Sequence, residues 1–353
     1  MRVMVFGASG AIGTRLVPQL TNGGHEVIGT CRSPGKAERI RALGAQPVVL
    51  DLLDRDAVRQ AVRQARPEAI IHEATALSGR GFSRKLDRTF ADTNRLRTDG
   101  TDNLLAAARE AKVHRFIAQS FAPYRYAMQG GMIKTEEDPL DANPPAGAQQ
   151  TNAAMAYLDQ AVADAGGIAL RYGGFYGDAG DQVVTMVRKR RFPLIGDGTG
   201  FTSWIHLDDA AAATVLALDH GAAGIYNIVD DEPAPAREWL PVLARTLGAK
   251  PPRRIPAWLA GLIAGRDAVL GATQSRGASN AKAKRELGWT PRYPSWRQGF
   301  AVAFSPSAGR ADGTDGNARL VDAVDPDVGA GVRRVDHQAV ADVDPNVMNR
   351  RRV

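Results

Sequence analysis

Apolar residues along this chain alternate between short solid runs and stripes at helical spacing. Val3 to Phe6 is an unbroken apolar run, the pattern of a strand buried on both faces. Ile12, Leu16, Val17 and Leu20 then recur at helical spacing, so a helix follows directly. HEVIGT (25–30) predicts a second strand, GKAERIRALGA (35–45) a helix closing at Gly44, and PVVL (47–50) a third strand. DRDAVRQAVRQA (54–65) predicts a helix with Asp54 as its N-cap. AIIH (69–72) and RFIAQS (115–120) read as the fourth and fifth strands, separated by a long helix over 91–111. A helix over 149–167, a strand and loop over 168–180 and a strand over 224–230 continue the alternation. Strands that alternate with helices predict an α/β fold with a doubly wound parallel sheet of the Rossmann type.

The first strand and helix meet at Gly7, Gly10 and Gly13. In a strand–turn–helix of this kind, the first glycine permits the turn and the second lets backbone approach a pyrophosphate. The third lets helix and strand pack closely. The positive end of the helix then faces the phosphates. An NAD-selective protein places an acid roughly 20 residues beyond the glycines, on the ribose 2′-hydroxyl. The stretch here is Thr30-Cys31-Arg32-Ser33, without an acid. Arg32 suits a 2′-phosphate, so NADP is the expected cofactor and NAD the alternative.

The G-x-x-G-x-x-G spacing resembles that of the short-chain dehydrogenase/reductase superfamily. Later segments resemble its extended branch, the nucleotide-sugar epimerase/dehydratase family. These are the stretch after His72, the helix TNRLRTDGTDNLLAAA (93–108), IALRYGGFYGDAG (168–180), SWIHLDDA (203–210) and KRELGWTP (284–291). Together they span about residues 1–300. The resemblance implies cofactor contacts at Gly7, Ser9, Gly10, Ala11, Ile12 and Gly13. It adds Arg32, Asp51 and Leu52 on the adenosine side, and Ala74, Thr75 and Phe175 towards the nicotinamide. It makes Ser120, at the end of the fifth strand, the residue that hydrogen-bonds the substrate oxygen. His72 has no second ligand at metal spacing and reads as a hydrogen-bonded structural residue. No metal is expected. Asn94 and Gly100 inside the long helix predict close packing or a local kink.

The family's catalytic Tyr-x-x-x-Lys is missing. Counting back from the following strand, Thr151 stands at the tyrosine position and Met155 at the lysine position. Neither can do the usual work, in which the tyrosine moves the proton and the lysine lowers its pKa. Tyr124 and Tyr126 are the nearest replacement acids, with Tyr124 the preferred one, and Lys134 could supply charge. Two readings stay open. One is an NAD(P)-dependent oxidoreductase or epimerase-like enzyme acting on a carbonyl or hydroxyl carbon of a small molecule or nucleotide sugar. The other is a catalytically silent NADP-binding sensor or scaffold.

The resemblance divides the chain into a Rossmann domain (1–177), an interleaved smaller C-terminal substrate lobe (178–304) and a tail (305–353) whose composition predicts disorder. Within the lobe a Gly-rich hairpin, a strand SWIHL and an Asp208 N-cap are expected, with His206 in a structural bond rather than on substrate. A 353-residue chain that is 44% apolar supports a large core. One cysteine, Cys31, excludes a disulfide framework. No apolar stretch approaches the ~20 residues of a membrane span, and no signal peptide pattern opens the chain. The cytoplasm without a membrane partner is therefore expected. The net charge of +7 raises nucleic acid as a partner, but no aromatic residues interleave with Arg188–Arg191 or with the terminal arginines. The first cluster reads as a solvated helix end, and nucleic acid is not expected. Members of the extended family often dimerise through their long helices, and nothing in the sequence argues against a homodimer.

Overall fold

A computed structural model describes residues 1–77, 86–122, 126–177 and 182–304. Seven strands form the central sheet: β1 (Arg2–Phe6), β2 (Glu26–Cys31), β3 (Gln46–Val49), β4 (Ala69–His72), β5 (Arg115–Phe121), β6 (Ile168–Tyr172) and β7 (Gly224–Ile228). Every pairing is parallel, and the spatial order is β7-β6-β5-β4-β1-β2-β3. This is the doubly wound Rossmann order carrying one extra strand. The direction of winding reverses between β1 and β4, so a crevice opens beyond the carboxyl ends of these two neighbours.

Alternation along β1 shows why both faces are covered. Val3 and Val5 enter one core, with Leu16, Val17, Ala210 and Ala213; Met4 and Phe6 enter the other, with Val58, Val62, Leu104 and Leu158. Helices α1 (Gly13–Asn22) and α5 (Leu207–Asp219) cover the first face. Helices α2 (Arg55–Ala65), α3 (Ala91–Glu110) and α4 (Gln149–Asp164) cover the second. Asp54 caps α2 as expected, accepting from the Ala57 N–H at 3.0 Å. The long α3 is not uniform: Leu96–Gly100 forms a π-helical turn between two α-helical stretches. A Cβ on Gly100 would stand 3.1 Å from the Leu52 side chain, which explains the glycine inside the helix. Of the close packing or local kink expected from Asn94 and Gly100, the close packing is present, at Gly100 against Leu52.

The C-terminal part is interleaved, because β7 completes the main sheet and α5 packs on α1. A third core gathers Tyr176, Val184, Leu194, Trp204, Trp239, Trp296 and Phe300. Trp204 and Trp239 meet edge to face, with ring centroids 4.9 Å apart. Two local expectations are corrected here. Residues 194–202 form no hairpin: Leu194–Ile195 pairs with Arg254–Ile255, and Phe201–Thr202 with Ala234–Pro235. Short strands of this kind take partners from distant segments when no two-residue turn holds them together. Nor is Asp208 the cap of α5; the N-cap is His206, whose Nδ1 accepts from the Asp208 N–H at 3.1 Å. The expected structural bond of His206 is this cap. Residues 305–353, read as a tail, lie outside the described residues.

Candidate functional site

The glycine turn leaves β1 at the sheet's switch point. Gly7 has φ +92°, and a Cβ there would stand 2.7 Å from the Glu73 carbonyl carbon. A Cβ on Gly13 would stand 2.6 Å from the Ala8 carbonyl carbon. The protein's own backbone therefore forces both glycines. Gly10 differs: it is exposed, and a Cβ there would meet only the Gly7 carbonyl oxygen, at 3.1 Å. The exposed Gly10-Ala11 backbone leads into the first turn of α1, whose orphan N–H groups suit an anion. That bare backbone at a helix start, on a crevice, fits the diphosphate of a dinucleotide.

The residues expected around this turn lie at the carboxyl ends of neighbouring strands. Phe6 of β1 is in register with Thr30 of β2 on one side and His72 of β4 on the other. Arg32 follows β2 and is exposed. Asp51 follows β3 and accepts from the Leu53 N–H at 3.0 Å, which shapes the loop. Leu52 is buried, and its carbonyl accepts from Asn103 of α3 at 3.0 Å. Ser9 is half-buried in the turn and Ile12 is buried ahead of α1. Ala74 and Thr75 are half-buried beyond β4, and Phe175 is half-buried with its ring centroid 5.5 Å from that of Tyr172. Ser120 is buried near the end of β5, in register with Arg171 of β6. The topology brings all of these to one edge of the sheet. Tyr124 lies outside the described residues.

His72 is a fixed neutral histidine. Its Nδ1 accepts from the Ala74 N–H at 3.3 Å, and its Nε2 lies 3.2 Å from the Leu96 carbonyl in the π-helical turn. Burial pushes its pKa down to about 4. Among the described residues no group of three or more His, Cys, Asp and Glu is placed to hold a metal. Beside His72, Glu73 is buried, and burial raises its carboxyl pKa to about 8 despite a 3.1 Å hydrogen bond donated by Tyr172. Tyr172 in turn shares a 2.6 Å hydrogen bond with Thr214 of α5. Sequence reasoning passed over this buried acid. Its signal was an acidic residue directly after the buried strand AIIH.

The start of α4 holds the largest departure from the family pattern. Thr151, at the tyrosine position, is buried and fully engaged. Its hydroxyl donates to Asp87 at 2.8 Å and accepts from Asn94 Nδ2 at 3.1 Å. Asp87 also accepts the Gln150 and Thr151 N–H groups, at 3.1 and 2.8 Å, and so caps α4 from 64 positions earlier in the chain. Met155, at the lysine position, is buried one turn on. The signal for the missed Asp87 was Ala148, which supplies no side-chain cap to α4.

Of the candidate substitutes, the two within the described residues, Tyr126 and Lys134, are engaged elsewhere. Tyr126 is buried; its hydroxyl donates to Asn227 at 2.7 Å and accepts from Arg171 Nη1 at 3.2 Å. Burial raises its pKa. Arg171 is anchored on buried Asp159 at 2.8 Å. Lys134 is buried with its ammonium on the Gln129 carbonyl and on Asp138 at 3.2 Å, where it pins its own loop. The start of α4 therefore offers a fixed threonine and an uncharged thioether, and the hydrogen bonds of Tyr126 and Lys134 commit both to other partners.

Comparison with known proteins gives the same frame. The model of the NAD dependent epimerase/dehydratase family matches residues 3–229. A 3-diazoavenalumate denitrifying reductase from a Streptomyces species is 43% identical over 310 residues, covering 85% of this chain and 99% of that protein. A 4-hydroxy-2-methyl-3-oxo-4-farnesyl-3,4-dihydroquinoline-1-oxide ketoreductase from Stigmatella aurantiaca is 28% identical, covering 83% of this chain and 92% of that protein. The Thermus thermophilus UDP-glucose 4-epimerase, solved in complex with NAD, superposes with a TM-score of 0.65 at 25% identity, covering 88% of this chain and all of that one.

Proposed function

This chain belongs to the NAD-dependent epimerase/dehydratase family, and on that premise we propose that it is an NADPH-dependent reductase acting at a carbon that bears a diazo group. As a family member it is an NAD(P)-dependent, Rossmann-type oxidoreductase/epimerase-like protein. Gly7 to Gly13 would hold the diphosphate and Arg32 the 2′-phosphate. Asp51 and Leu52 would meet the adenine, and Ala74, Thr75 and Phe175 the nicotinamide half. Residues 178–304 would form the substrate lobe.

The observation that carries the reading is the replaced acid pair. Reducing a ketone creates an alkoxide that needs a proton, which is the work of the family's tyrosine and lysine. Bound NADPH supplies a hydride; a diazonium carbon that takes it releases dinitrogen as the C–N bond breaks with its electron pair, and no oxygen needs a proton. The chain's own residues suit that demand. Thr151 is spent on Asp87 and Asn94, so it fixes the helix instead of moving a proton. The uncharged Met155 removes a lysine ammonium that would repel a cationic diazonium group. Ser120, at the strand end, would orient the phenolic or carbonyl oxygen of the substrate. The Streptomyces relative is named for a reaction of this class. The Streptomyces and Stigmatella relatives both carry enzyme names, and neither favours a scaffold without turnover.

The test is NADPH oxidation at 340 nm with a diazotised aminophenol, against the rate without enzyme. Dinitrogen is counted by mass spectrometry, and NADPH deuterated at C4 labels the product. One dinitrogen per NADPH, with deuterium at the former C–N carbon, is the expected result. Turnover of simple ketones without turnover of the diazo compound would overturn the proposal. Arg32→Asp is expected to shift preference from NADPH towards NADH; unchanged preference would refute the 2′-phosphate role.

A further inference from the structure

The helix over Ala257–Ala264 reads AWLAGLIA, without one polar side chain. A helix that is apolar all round is ordinarily enclosed in a core. Here only Ala260 is buried, while Trp258, Leu262 and Ile263 are 69%, 74% and 53% exposed. Trp258 and Leu262 are one turn apart and share a face. The exposure is thus a continuous patch, which solitary surface residues are not.

The patch has a basic border. The helix Gln182–Arg188 ends in the exposed run Arg188, Lys189, Arg190 and Arg191. Arg190 Nε donates to the Pro251 carbonyl at 2.9 Å, and the Leu194 N–H donates to the Arg253 carbonyl at 2.8 Å. Those bonds tie the basic run to Lys250–Arg254, which leads straight into the apolar helix. Lys250, Arg253, Arg254 and Arg266 are exposed as well. From Glu238 to Asp267 the sequence holds no acid.

We propose that this face docks the protein on an anionic lipid bilayer. Trp258, Leu262 and Ile263 enter the boundary between headgroups and acyl chains, and the surrounding cations meet the lipid phosphates. The alternatives fit less well. A two-fold contact with a second copy would set the same cations face to face. Leu262 and Ile263 offer no ring on which nucleic-acid bases could stack. The lack of a long apolar stretch bears on spanning a bilayer and not on lying against one.

The experiment is co-sedimentation of the full chain with vesicles of phosphatidylcholine alone, or with a third of the lipid replaced by phosphatidylglycerol. Binding is expected only with the anionic lipid, and it weakens as salt rises. Trp258→Ser combined with Leu262→Asp is expected to abolish it. Arg253→Gln with Arg254→Gln is expected to lower it by about fivefold per cation. NADPH binding, measured in parallel, stays intact in both variants and shows that they are folded. Three results would overturn the proposal: no vesicle binding, binding that survives the apolar double substitution, or a concentration-dependent dimer that the same substitution dissociates. Preference for single-stranded DNA over the vesicles would overturn it too.

Discussion

Thr151→Val separates a structural threonine from a proton-donating one. Valine keeps the shape and the methyl group but removes the hydroxyl. The variant loses the 2.8 Å bond to Asp87 and the 3.1 Å bond from Asn94. The helix cap itself survives, because Asp87 keeps the Gln150 and Thr151 N–H groups. Asn94 suffers most: its Oδ1 already lacks a partner, and the substitution strips its Nδ2 as well. An unsatisfied buried amide costs ~1–3 kcal/mol, and a bond to a half-exposed carboxylate adds ~1 kcal/mol or less. A loss of about 2 kcal/mol lowers the melting temperature of a chain this size by roughly 3 °C. Turnover measured below that temperature is expected to stay within a few fold of the parent, and Thr151→Ser to restore the melting temperature. A general acid contributes ~100-fold or more. A drop of that size with an unchanged melting temperature would show that Thr151 moves a proton, and the argument from the replaced acid pair would fail.

Other outcomes follow from the same geometry. Arg171→Met leaves Asp159 buried beside a lost 2.8 Å ion pair, and denaturant unfolding should show a loss of about 3–5 kcal/mol; adding Asp159→Leu is expected to recover much of it, and no recovery would refute the pairwise account. Gly10→Ala is expected to leave the melting temperature nearly unchanged while weakening NADPH binding, whereas Gly13→Ala should damage folding itself, because its Cβ would press on the Ala8 carbonyl carbon at 2.6 Å; equal effects on folding would undo the distinction. Burial raises the Glu73 carboxyl pKa from its ordinary value of about 4.5 to about 8. Between those values the native state holds a proton that the unfolded state has lost, so this group's contribution to stability falls as pH rises from about 4.5 to about 8. Chemical denaturation of Glu73→Gln across that range should give a flatter profile than the parent; an identical slope would count against a protonated Glu73.

Much of the fold was legible because its signals are local. The spacing of the glycine turn and the Asp54 cap each show within a turn or two of sequence. Short apolar runs such as Val3–Phe6 and Ala69–Ile71 marked central strands for the same reason, because both faces of a parallel sheet are covered. The partners of short strands in residues 194–202 were not legible, since nothing near them in sequence specifies a distant edge. Tyr126 and Lys134 looked free in the sequence because side-chain type does not reveal which hydrogen bonds have already claimed it.

The sequence by itself determined the class of fold, the position of the cofactor turn and the absence of the Tyr-Lys pair. Those follow from apolar periodicity, from glycines whose backbones tolerate no side chain, and from residue identity at a countable register. Only the tertiary structure decided what the residues around the vacated positions bond to. Asp87 reaches the start of α4 from 64 positions away, and Arg171 of β6 ties Asp159 of α4 to Tyr126. It also left AWLAGLIA facing outward, where its composition alone reads as core. Burial is a property of what the rest of the chain places on top of a residue, and one segment's sequence does not contain it.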